Sequence, residues 1–257
     1  MAQAIVQVEN LNLTYKEVCA VQNVSFSVEP GELLAIVGQN GSGKTTTVEC
    51  VEGLRKPDSG SVQVFGKDPW LHRGEVYKKL GVQLQETEYP SKITVEEQCR
   101  LFASFYERPA DWELLLTQLN LADKRKRRIR KLSGGERQRL SILLALMGRP
   151  KCIILDELTT GLDPEVRQNM WISFENIRRS GVAVILVSHY LDEVEALADK
   201  ILYLEKGEQR FFGTQQEFRA YAKSRIPKEE WKEEQSLEKL YLKLAPKTEG
   251  LTMEGIL

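Results

Sequence analysis

A glycine-rich loop that ends in a lysine and a threonine lies near the start of the chain, at residues 38–45. The loop follows a nearly continuous apolar run, residues 33–37, and precedes a stretch with helical spacing, residues 45–51. Glycines let the backbone wrap around phosphate groups with its N–H groups pointing inward, and a helix N-terminus adds partial positive charge. Lys44 should reach the β- and γ-phosphates of a nucleotide, and the Thr45 hydroxyl should bind Mg²⁺. The loop therefore predicts a nucleoside triphosphate site between a strand and a helix.

Two acidic residues follow a second apolar run, residues 152–155. Asp156 could hold Mg²⁺ directly or through a water molecule, and Glu157 could polarise an attacking water molecule as a general base. Ligand sites in parallel sheets cluster at the carboxyl ends of strands, which is where both acids would lie. Alone, this pattern fits equally well a strand that enters a solvated loop. Together with the phosphate loop, it indicates hydrolysis of a phosphoanhydride bond.

A second candidate anion site is the Ser-Gly-Gly sequence at residues 133–135, which opens a stretch with helical spacing. Such a helix start offers a hydroxyl and unpaired backbone N–H groups. If it stood alone, a helix cap without any ligand would be the favoured interpretation. Since one nucleotide already has the loop at 38–45, the second site indicates contact with a nucleotide on another copy of the chain.

The apolar pattern around these motifs predicts an α/β fold. The first thirty residues alternate apolar and polar types, as in antiparallel strands with one covered face. Nearly continuous apolar runs at 33–37, 152–155 and 182–187 are typical of strands buried on both faces. Helical spacing occurs at 135–147 and 164–177. Strands that alternate with helices favour a mostly parallel core sheet.

The stretch between the two anion sites has helical character. Residues 94–105 and 111–119 predict two amphipathic helices. Thr94 is the expected N-cap of the first helix, and Glu97 is placed to complete a capping box with it. We therefore expect a helical subdomain, at about residues 86–150, that is inserted into the α/β core.

The composition argues against several other classes of protein. The chain has 257 residues and a formal net charge of -1, so no overall field favours nucleic acid. No run approaches the roughly 18–20 apolar residues that span a bilayer, and the N-terminus lacks the features of a signal peptide. Four scattered cysteines and two histidines make a zinc site unexpected. These features predict a cytoplasmic protein.

A basic run at residues 124–131 directly precedes the Ser-Gly-Gly sequence. Such a run could bind nucleic acid or anionic lipid headgroups. We favour instead a solvated basic loop that raises the local potential near the nucleotide, and we expect no direct binding of nucleic acid.

Five segments resemble, in type and order, the motifs of the ABC ATPase family across roughly residues 4–214. They are residues 38–45, 132–136, 153–157, 161–164 and 188–189. The resemblance implies an α/β fold with a P-loop NTPase core, a mostly parallel sheet, an N-terminal antiparallel β-subdomain and the inserted α-helical subdomain. It also implies an ATP-binding domain, which we place at residues 1–222. After about residue 222 the composition becomes highly charged and then recovers apolar spacing, which predicts a charged C-terminal helical tail at residues 223–257.

The resemblance also implies roles for individual residues around one ATP. Tyr15 matches the aromatic residue that stacks on adenine, although a tyrosine on a strand surface is the alternative. His189 matches the histidine that contacts the γ-phosphate, and Glu157 the catalytic base. Gln85 matches the glutamine that senses Mg²⁺ and the attacking water; Gln83 is a competitor, but the spacing from the preceding glycine favours Gln85. The nucleotide-binding set would be Tyr15, Gly38, Gln39, Asn40, Gly41, Ser42, Gly43, Lys44, Thr45 and Thr46, and the Mg²⁺ set would be Thr45, Gln85 and Asp156.

Further implied roles concern a head-to-tail pair of chains. Asp163 matches the family's loop that crosses the dimer interface. In the family, each ATP is held between the phosphate loop of one chain and the signature segment of the other, here Ser133, Gly134 and Gly135. One departure is Leu158, which stands where the family usually has proline. We expect it to change the rigidity of the loop and not the chemistry.

The C-terminal segment, residues 236–244, resembles the ending of bacterial exporter subunits for drug resistance, sodium efflux and antimicrobial-peptide immunity. An amphipathic surface helix would look similar. The family's function would then be ATP hydrolysis that powers an exporter, with ATP and Mg²⁺ as cofactors. The expected partners are a second identical or closely related ABC subunit and a separate membrane-spanning permease at the inner face of the membrane. The alternative is a soluble ABC-type ATPase that scaffolds a cytosolic assembly, such as iron–sulfur cluster assembly.

Overall fold

A computed structural model of the chain describes residues 4–83, 92–156, 164–232 and 235–245. Within these ranges, strands and helices alternate through the middle of the chain, as the sequence predicts. The strands are β1 (Val6–Tyr15), β2 (Val18–Val28), β3 (Leu33–Val37), β4 (Ser59–Val64), β5 (Leu80–Gln83), β6 (Cys152–Asp156), β7 (Ala183–Val187), β8 (Lys200–Glu205) and β9 (Glu208–Thr214). The helices are α1 (Lys44–Val51), α2 (Arg73–Val76), α3 (Val95–Ala103), α4 (Trp112–Gln118), α5 (Gly134–Leu146), α6 (Pro164–Arg179), α7 (Leu191–Leu197), α8 (Gln215–Arg225) and α9 (Leu237–Leu244).

The described strands follow the order β4-β1-β2-β9-β8-β3-β7-β6-β5. The five strands β8, β3, β7, β6 and β5 are parallel to one another, which confirms the predicted parallel core. The antiparallel strands β4, β1 and β2 form one edge, and a single residue pair, Gln22 with Glu208, joins β2 to β9. The antiparallel hairpin of β8 and β9 is a feature that the sequence analysis did not predict.

The core sheet is buried on both faces because alternate side chains of its strands enter two different apolar clusters. On β3, Leu33 and Ala35 face the helices α3 to α9, whereas Leu34 and Ile36 face α1 and the antiparallel strands. All five residues of β3 are fully buried, as the continuous apolar run predicts. Each buried aliphatic side chain contributes about 1.5–3 kcal/mol relative to exposure, so this strand is among the most firmly held parts of the fold.

The helical stretch begins as predicted. Thr94 caps α3, since its hydroxyl accepts a hydrogen bond from the Glu97 N–H at 3.3 Å. The Glu97 carboxylate accepts from the Thr94 N–H at 2.8 Å, which confirms the capping box. The helix ends at Ala103, two residues before the predicted end, and Phe105 lies exposed beyond it. After α4, Asn120 adopts a positive φ of 53°, a conformation that stops a helix and that asparagine tolerates.

The C-terminal helices pack onto α7. Glu195 of α7 is the centre of this contact, because its carboxylate pairs with Arg219 at 2.5 Å and accepts from the Leu237 N–H at 3.1 Å. Leu237, Leu240 and Tyr241 of α9 are buried, so the apolar spacing of the tail reflects docking. α8 runs across the expected domain boundary at 222/223, and that boundary remains a proposal. None of the helices in the described ranges combines the length and the apolar character that crossing a bilayer requires.

Candidate functional site

The glycine-rich loop connects β3 to α1 and is held tightly against β2. Gly43 is the N-cap of α1 and has a φ of 98°. A Cβ atom at this position would lie 2.6 Å from the carbonyl oxygen of Ala20, whereas a Cβ at Gly41, φ 76°, would meet no atom within 4 Å. Only glycine fits at Gly43, because both the backbone conformation and the neighbouring strand exclude a side chain. Packing against β2 therefore fixes the path of the loop.

Lys44 is the first residue of α1, and its side chain folds back over the loop. Its Nζ donates to the carbonyl oxygens of Gly38 and Gln39 at 2.8 and 3.1 Å. The side chain is only 6% exposed, so the ammonium group is held beneath the loop surface. The Ser42 hydroxyl is also buried and has no hydrogen-bond partner among the described residues. A phosphate oxygen would satisfy such a hydroxyl. The loop thus combines a fixed cation, an unsatisfied donor and a helix N-terminus.

The remaining residues of the predicted phosphate-binding set lie on the same loop and first helical turn. Thr45 is exposed and Thr46 is half-buried, both directly after Lys44. Gln39 and Asn40 are exposed at the tip of the loop. The structure therefore brings residues 38–46 together, as expected from their adjacency in sequence.

Asp156 lies at the carboxyl end of β6, beside the end of β5. Its backbone N–H donates to the Gln83 side-chain oxygen at 3.2 Å, so the amide of Gln83 ties the two strand ends together. Gln83 is almost fully buried, which gives this competitor of Gln85 a position in the site region. The sequence analysis expected Asp156 at a strand end, and that placement is confirmed.

Glu52, at the end of α1, is an acidic residue that the sequence analysis missed. It is 3% exposed. Burial, together with the negative charges of Asp156 and Glu49, raises the pKa of Glu52 to about 8. The signal in the sequence was an acid four residues after Val48, at a helical position where the spacing predicts an apolar residue.

The donor set at the strand ends fits Mg²⁺. Thr45 and Asp156 supply hydroxyl and carboxylate oxygens, which are the ligands that this hard cation prefers. The Asp156 carboxylate raises the pKa of Glu52, so the two acids lie within electrostatic reach of each other. A divalent cation would offset that repulsion.

Tyr15 ends β1 beside α1. Its hydroxyl donates to Glu49 at 3.3 Å, and the Arg55 guanidinium lies 5.3 Å from the ring centroid. The ring is 37% exposed and borders a cavity of about 280 Å³ that Trp70 also lines. The structure therefore offers an accessible aromatic ring next to the helix that carries Lys44, and adenine stacking stays a prediction.

His189 follows β7 by two residues and its side chain is exposed. The preceding Ser188 is fully buried, and its hydroxyl hydrogen-bonds the carboxylate of the buried Glu193. The same hydroxyl accepts from the Tyr190 N–H at 2.9 Å. The backbone on both sides of His189 is thus anchored, while the imidazole faces outward.

The Ser-Gly-Gly segment forms the N-terminus of α5. The Ser133 hydroxyl accepts from the Glu136 N–H at 3.2 Å, and the Glu136 carboxylate accepts from the Ser133 N–H at 2.8 Å. Because a serine hydroxyl is also a donor, its hydrogen can still be offered to an anion. Ser133 and Gly134 are exposed, and a Cβ at Gly134 would meet no atom within 4 Å. This helix start is open to an incoming ligand or chain.

Part of the basic run has structural partners. Arg125 bonds Glu96 at 2.8 Å and Glu113 at 3.0 Å, and it stacks on the ring of Trp112. Lys124 pairs with Asp123 at 2.6 Å. The contacts of Arg125 hold the loop before α5 against α3 and α4, so this cation has a role in packing, whereas the pair of Lys124 with Asp123 is local.

Three residues of the predicted site lie outside the described residues. They are Gln85, Glu157 and Asp163, and Leu158 lies there as well. In the sequence, Gln85 follows β5, Glu157 follows β6 and Asp163 precedes α6.

Residues 21–160 match the protein family described as ABC transporter. This stretch contains the phosphate loop, the Ser-Gly-Gly segment and the strand that ends in Asp156.

Curated relatives with similar sequences are ATP-binding proteins by name. The chain is 33% identical over 208 residues to Nod factor export ATP-binding protein I of Ralstonia nicotianae, covering 79% of this chain and 65% of that protein. It is 32% identical to the linearmycin resistance ATP-binding protein LnrL of Bacillus subtilis, covering 82% and 69%. It is 34% identical to the doxorubicin resistance ATP-binding protein DrrA of Mycobacterium tuberculosis, covering 79% and 63%. The chain thus spans about two thirds of the length of these relatives.

Solved structures of similar fold are also subunits of this kind. An ATP-binding subunit of an ABC transporter superposes with a TM-score of 0.82 and 26% identity, covering 93% of this chain and 99% of that one. The protein cbiO1 of Clostridium perfringens, part of the ABC transporter complex cbiONQ, gives a TM-score of 0.76 at 26% identity, covering 84% and 91%.

The two glycines of the loop give a matched test of its packing. Gly41→Ala should lower the free energy of unfolding by about 1 kcal/mol, because the positive φ disfavours alanine but the new Cβ meets no other atom. Gly43→Ala should cost about 3 kcal/mol, since the new Cβ also overlaps the carbonyl oxygen of Ala20. Urea unfolding without nucleotide measures both. Equal losses at the two positions would contradict the packing of the loop against β2.

The buried carboxyl of Glu52 predicts a pH dependence of stability. Its folded-state pKa, about 8, lies above the unfolded value of about 4.3. Between these values the unfolded chain loses a proton that the folded chain keeps, so stability falls by up to about 1.4 kcal/mol per pH unit. Urea midpoints from pH 5 to 8, without Mg²⁺, should show this fall in the wild type and a flatter profile for Glu52→Gln.

The control for this effect is Glu9→Gln, which neutralises an exposed carboxylate on β1. Its pH profile should keep the slope of the wild type. If the profile of Glu52→Gln were parallel to that of the wild type, the raised pKa would be wrong.

Proposed function

This chain belongs to the ABC transporter family, and from that premise we propose that it is the ATP-hydrolysing motor subunit of an exporter. Membership confirms the family, the fold class and the ATPase class that the sequence motifs predict. The finer proposal is that two chains close on ATP and separate after hydrolysis, and that this motion drives a membrane-spanning partner.

The phosphate loop is the observation that carries the proposal. Lys44 is buried beneath the loop and held by its carbonyl oxygens, which positions a cation before any ligand arrives. Together with the unsatisfied hydroxyl of Ser42, it supplies donors for the β- and γ-phosphates. Groups that are fixed in advance need little reorganisation, which is why such sites stabilise the developing charge of phosphoryl transfer.

The other site residues have distinct roles in this proposal. Thr45 and Asp156 would hold Mg²⁺, with Gln85 as a further ligand, and the bound ion would neutralise phosphate charge. Glu157 accepts a proton from the attacking water, and His189 donates a hydrogen bond to the γ-phosphate. Tyr15 provides the adenine platform next to α1.

In this proposal, each chain contacts the nucleotide of the other chain through the N-terminus of its α5. Ser133 and Gly134 are exposed, and the hydroxyl and the N–H groups there have no nucleotide of their own chain to serve. Facing the phosphate loop of a partner copy, they would close the site on the γ-phosphate, with Asp163 crossing the interface.

The exporter role rests on the names of the relatives. Those proteins are named for Nod factor export, linearmycin resistance and doxorubicin resistance. The transfer of that role to this chain agrees with the exporter-like C-terminal segment, which the structure shows as the docked helix α9. The proposed location is the cytoplasmic face of the membrane, reached through the permease.

Blocking hydrolysis should trap the dimer. Glu157→Gln should retain ATP binding and elute as a dimer with ATP and Mg²⁺, because the general base is lost but the interface is complete. Adding Gly134→Trp should abolish that dimer, since a bulky side chain would fill the interface; the monomer has open space there and should keep its fold. Size-exclusion chromatography with light scattering measures both.

The matched control for the trapping experiment is Glu107→Gln, which removes an exposed carboxylate from the helical region. It should hydrolyse ATP and elute like the wild type. A Glu157→Gln protein that binds ATP but stays monomeric would contradict the proposed closure of two chains.

The partner proposal predicts association with a membrane protein. A tagged chain expressed in its source cells should sediment with membranes and, after detergent extraction, purify with a chain that has several apolar spans of about 20 residues. Purification with a purely soluble assembly would contradict the exporter role and favour the scaffold alternative.

A further inference from the structure

His189 is part of a chain of ring and charge contacts that reaches α6. The centroids of the His189 and Tyr190 rings are 4.2 Å apart, with an angle of 36° between their planes. The Arg167 guanidinium carbon lies 4.6 Å from the centroid of the Tyr190 ring. Arg167 in turn bonds the carboxylate of Asp192 at 2.8 Å. An exposed imidazole is therefore connected, through one tyrosine, to an arginine that is itself fixed.

The backbone of this loop is held independently of the rings. Ser188 and Glu193 are fully buried and bonded to each other, and the Ser188 hydroxyl also accepts from the Tyr190 N–H. These bonds fix where the Cα of His189 lies. They do not fix its side-chain torsions, and the ring of Tyr190 lies directly against the imidazole.

Arg167 is suited to hold the tyrosine ring. Its side chain is 19% exposed, so most of the guanidinium is shielded from water. The ion pair with Asp192 holds its plane, and a planar guanidinium stacks on an aromatic face in a way that a lysine ammonium does not reproduce. Asp192 belongs to the first turn of α7, the helix that begins directly after Tyr190. The contacts thus join α6, the His189 loop and α7.

We propose that Tyr190 and Arg167 are positioning residues that hold the imidazole of His189 in the orientation used at the γ-phosphate. This inference rests on the proposed function, because it assigns a purpose to the orientation of that ring. A hydrogen bond to a transferring phosphoryl group depends on the direction of the donor, so a ring contact that restricts the rotation of the imidazole raises the fraction of closed sites with the productive geometry.

A spectroscopic test follows the ring itself. The chain has two histidines, and His72, which caps α2, provides an internal reference in the same spectrum. In the nucleotide-free protein, the ring current of Tyr190 should change the chemical shifts of the carbon-bound ring protons of His189. Tyr190→Leu should move these chemical shifts toward their random-coil values and leave those of His72 unchanged. Tyr190→Phe should restore the wild-type chemical shifts of His189, because phenylalanine keeps the aromatic ring.

Arg167→Lys tests the second contact without removing charge. It keeps a cation near Asp192 but loses the planar stack, so the His189 signals should move in the same direction as in Tyr190→Leu, by a smaller amount. The matched control is Arg225→Lys, because Arg225 lies 4.3 Å from the ring centroid of Tyr221 on α8 and does not contact His189. It should leave the His189 signals and the turnover unchanged.

The kinetic readout separates positioning from general damage. Tyr190→Leu and Arg167→Lys should lower kcat for ATP hydrolysis by about fivefold, the size expected from the loss of one ring contact, with KM for ATP changed by less than about twofold. Tyr190→Phe should recover most of kcat. If Tyr190→Leu does not fold, Arg167→Lys with its control carries the test.

Two outcomes would overturn the inference. One is that the His189 signals stay in place in both Tyr190→Leu and Arg167→Lys. The other is that the signals move while kcat remains at the wild-type value. Failure of the proposed function would look different: the wild-type chain would then hydrolyse no ATP, alone or with its partner, whereas the ring signals would still respond to the substitutions.

Discussion

The burial of β3 on both faces is the constraint on which the site depends. A strand packed between two apolar clusters has little freedom, so the point at which the chain leaves it is fixed. The phosphate loop starts at that point and is held from the side by the contact of Gly43 with Ala20. β6 and β7 run parallel to β3 in the same buried layer and end at the same edge. That shared edge brings Lys44, Asp156 and His189 into one region.

Charge is distributed unevenly across this region. The loop side carries a buried cation, Lys44, and the strand and helix ends carry Asp156, Glu52 and Glu49. Because burial and nearby negative charge disfavour an ionised carboxylate, Glu52 stays protonated over much of the neutral pH range. This arrangement supports the proposal that the site takes a ligand with negative phosphates and a divalent cation, which is the composition of MgATP.

The C-terminal helices α8 and α9 are joined to the region of the site through α7. Glu195 ties α7 to α8 and to the start of α9. Glu193 ties α7 to the loop of His189 through Ser188, and Asp192 ties it to Arg167 of α6. One short helix therefore has the tail on one side and a candidate catalytic residue on the other. The described part of the C-terminal segment thus packs, through α8 and α9, on the helix that follows the loop of His189.

The sequence determined the parts of this protein whose physical cause is local. A glycine-rich loop between an apolar run and a helix, two acids after another apolar run, and a capping box at Thr94 depend on neighbours in the chain, so their types and spacing were enough. The same held for the parallel core, because continuous apolar strands need two covered faces. Only the tertiary structure decided the burial of Glu52 near Asp156, the tie between Gln83 and the end of β6, and the contact of Tyr190 with Arg167. These pairs are far apart in sequence; Glu52 and Asp156, for example, are 104 positions apart, and no periodicity encodes such pairs. They exist because parallel strands end at a common edge, where the packing of the sheet chooses the neighbours.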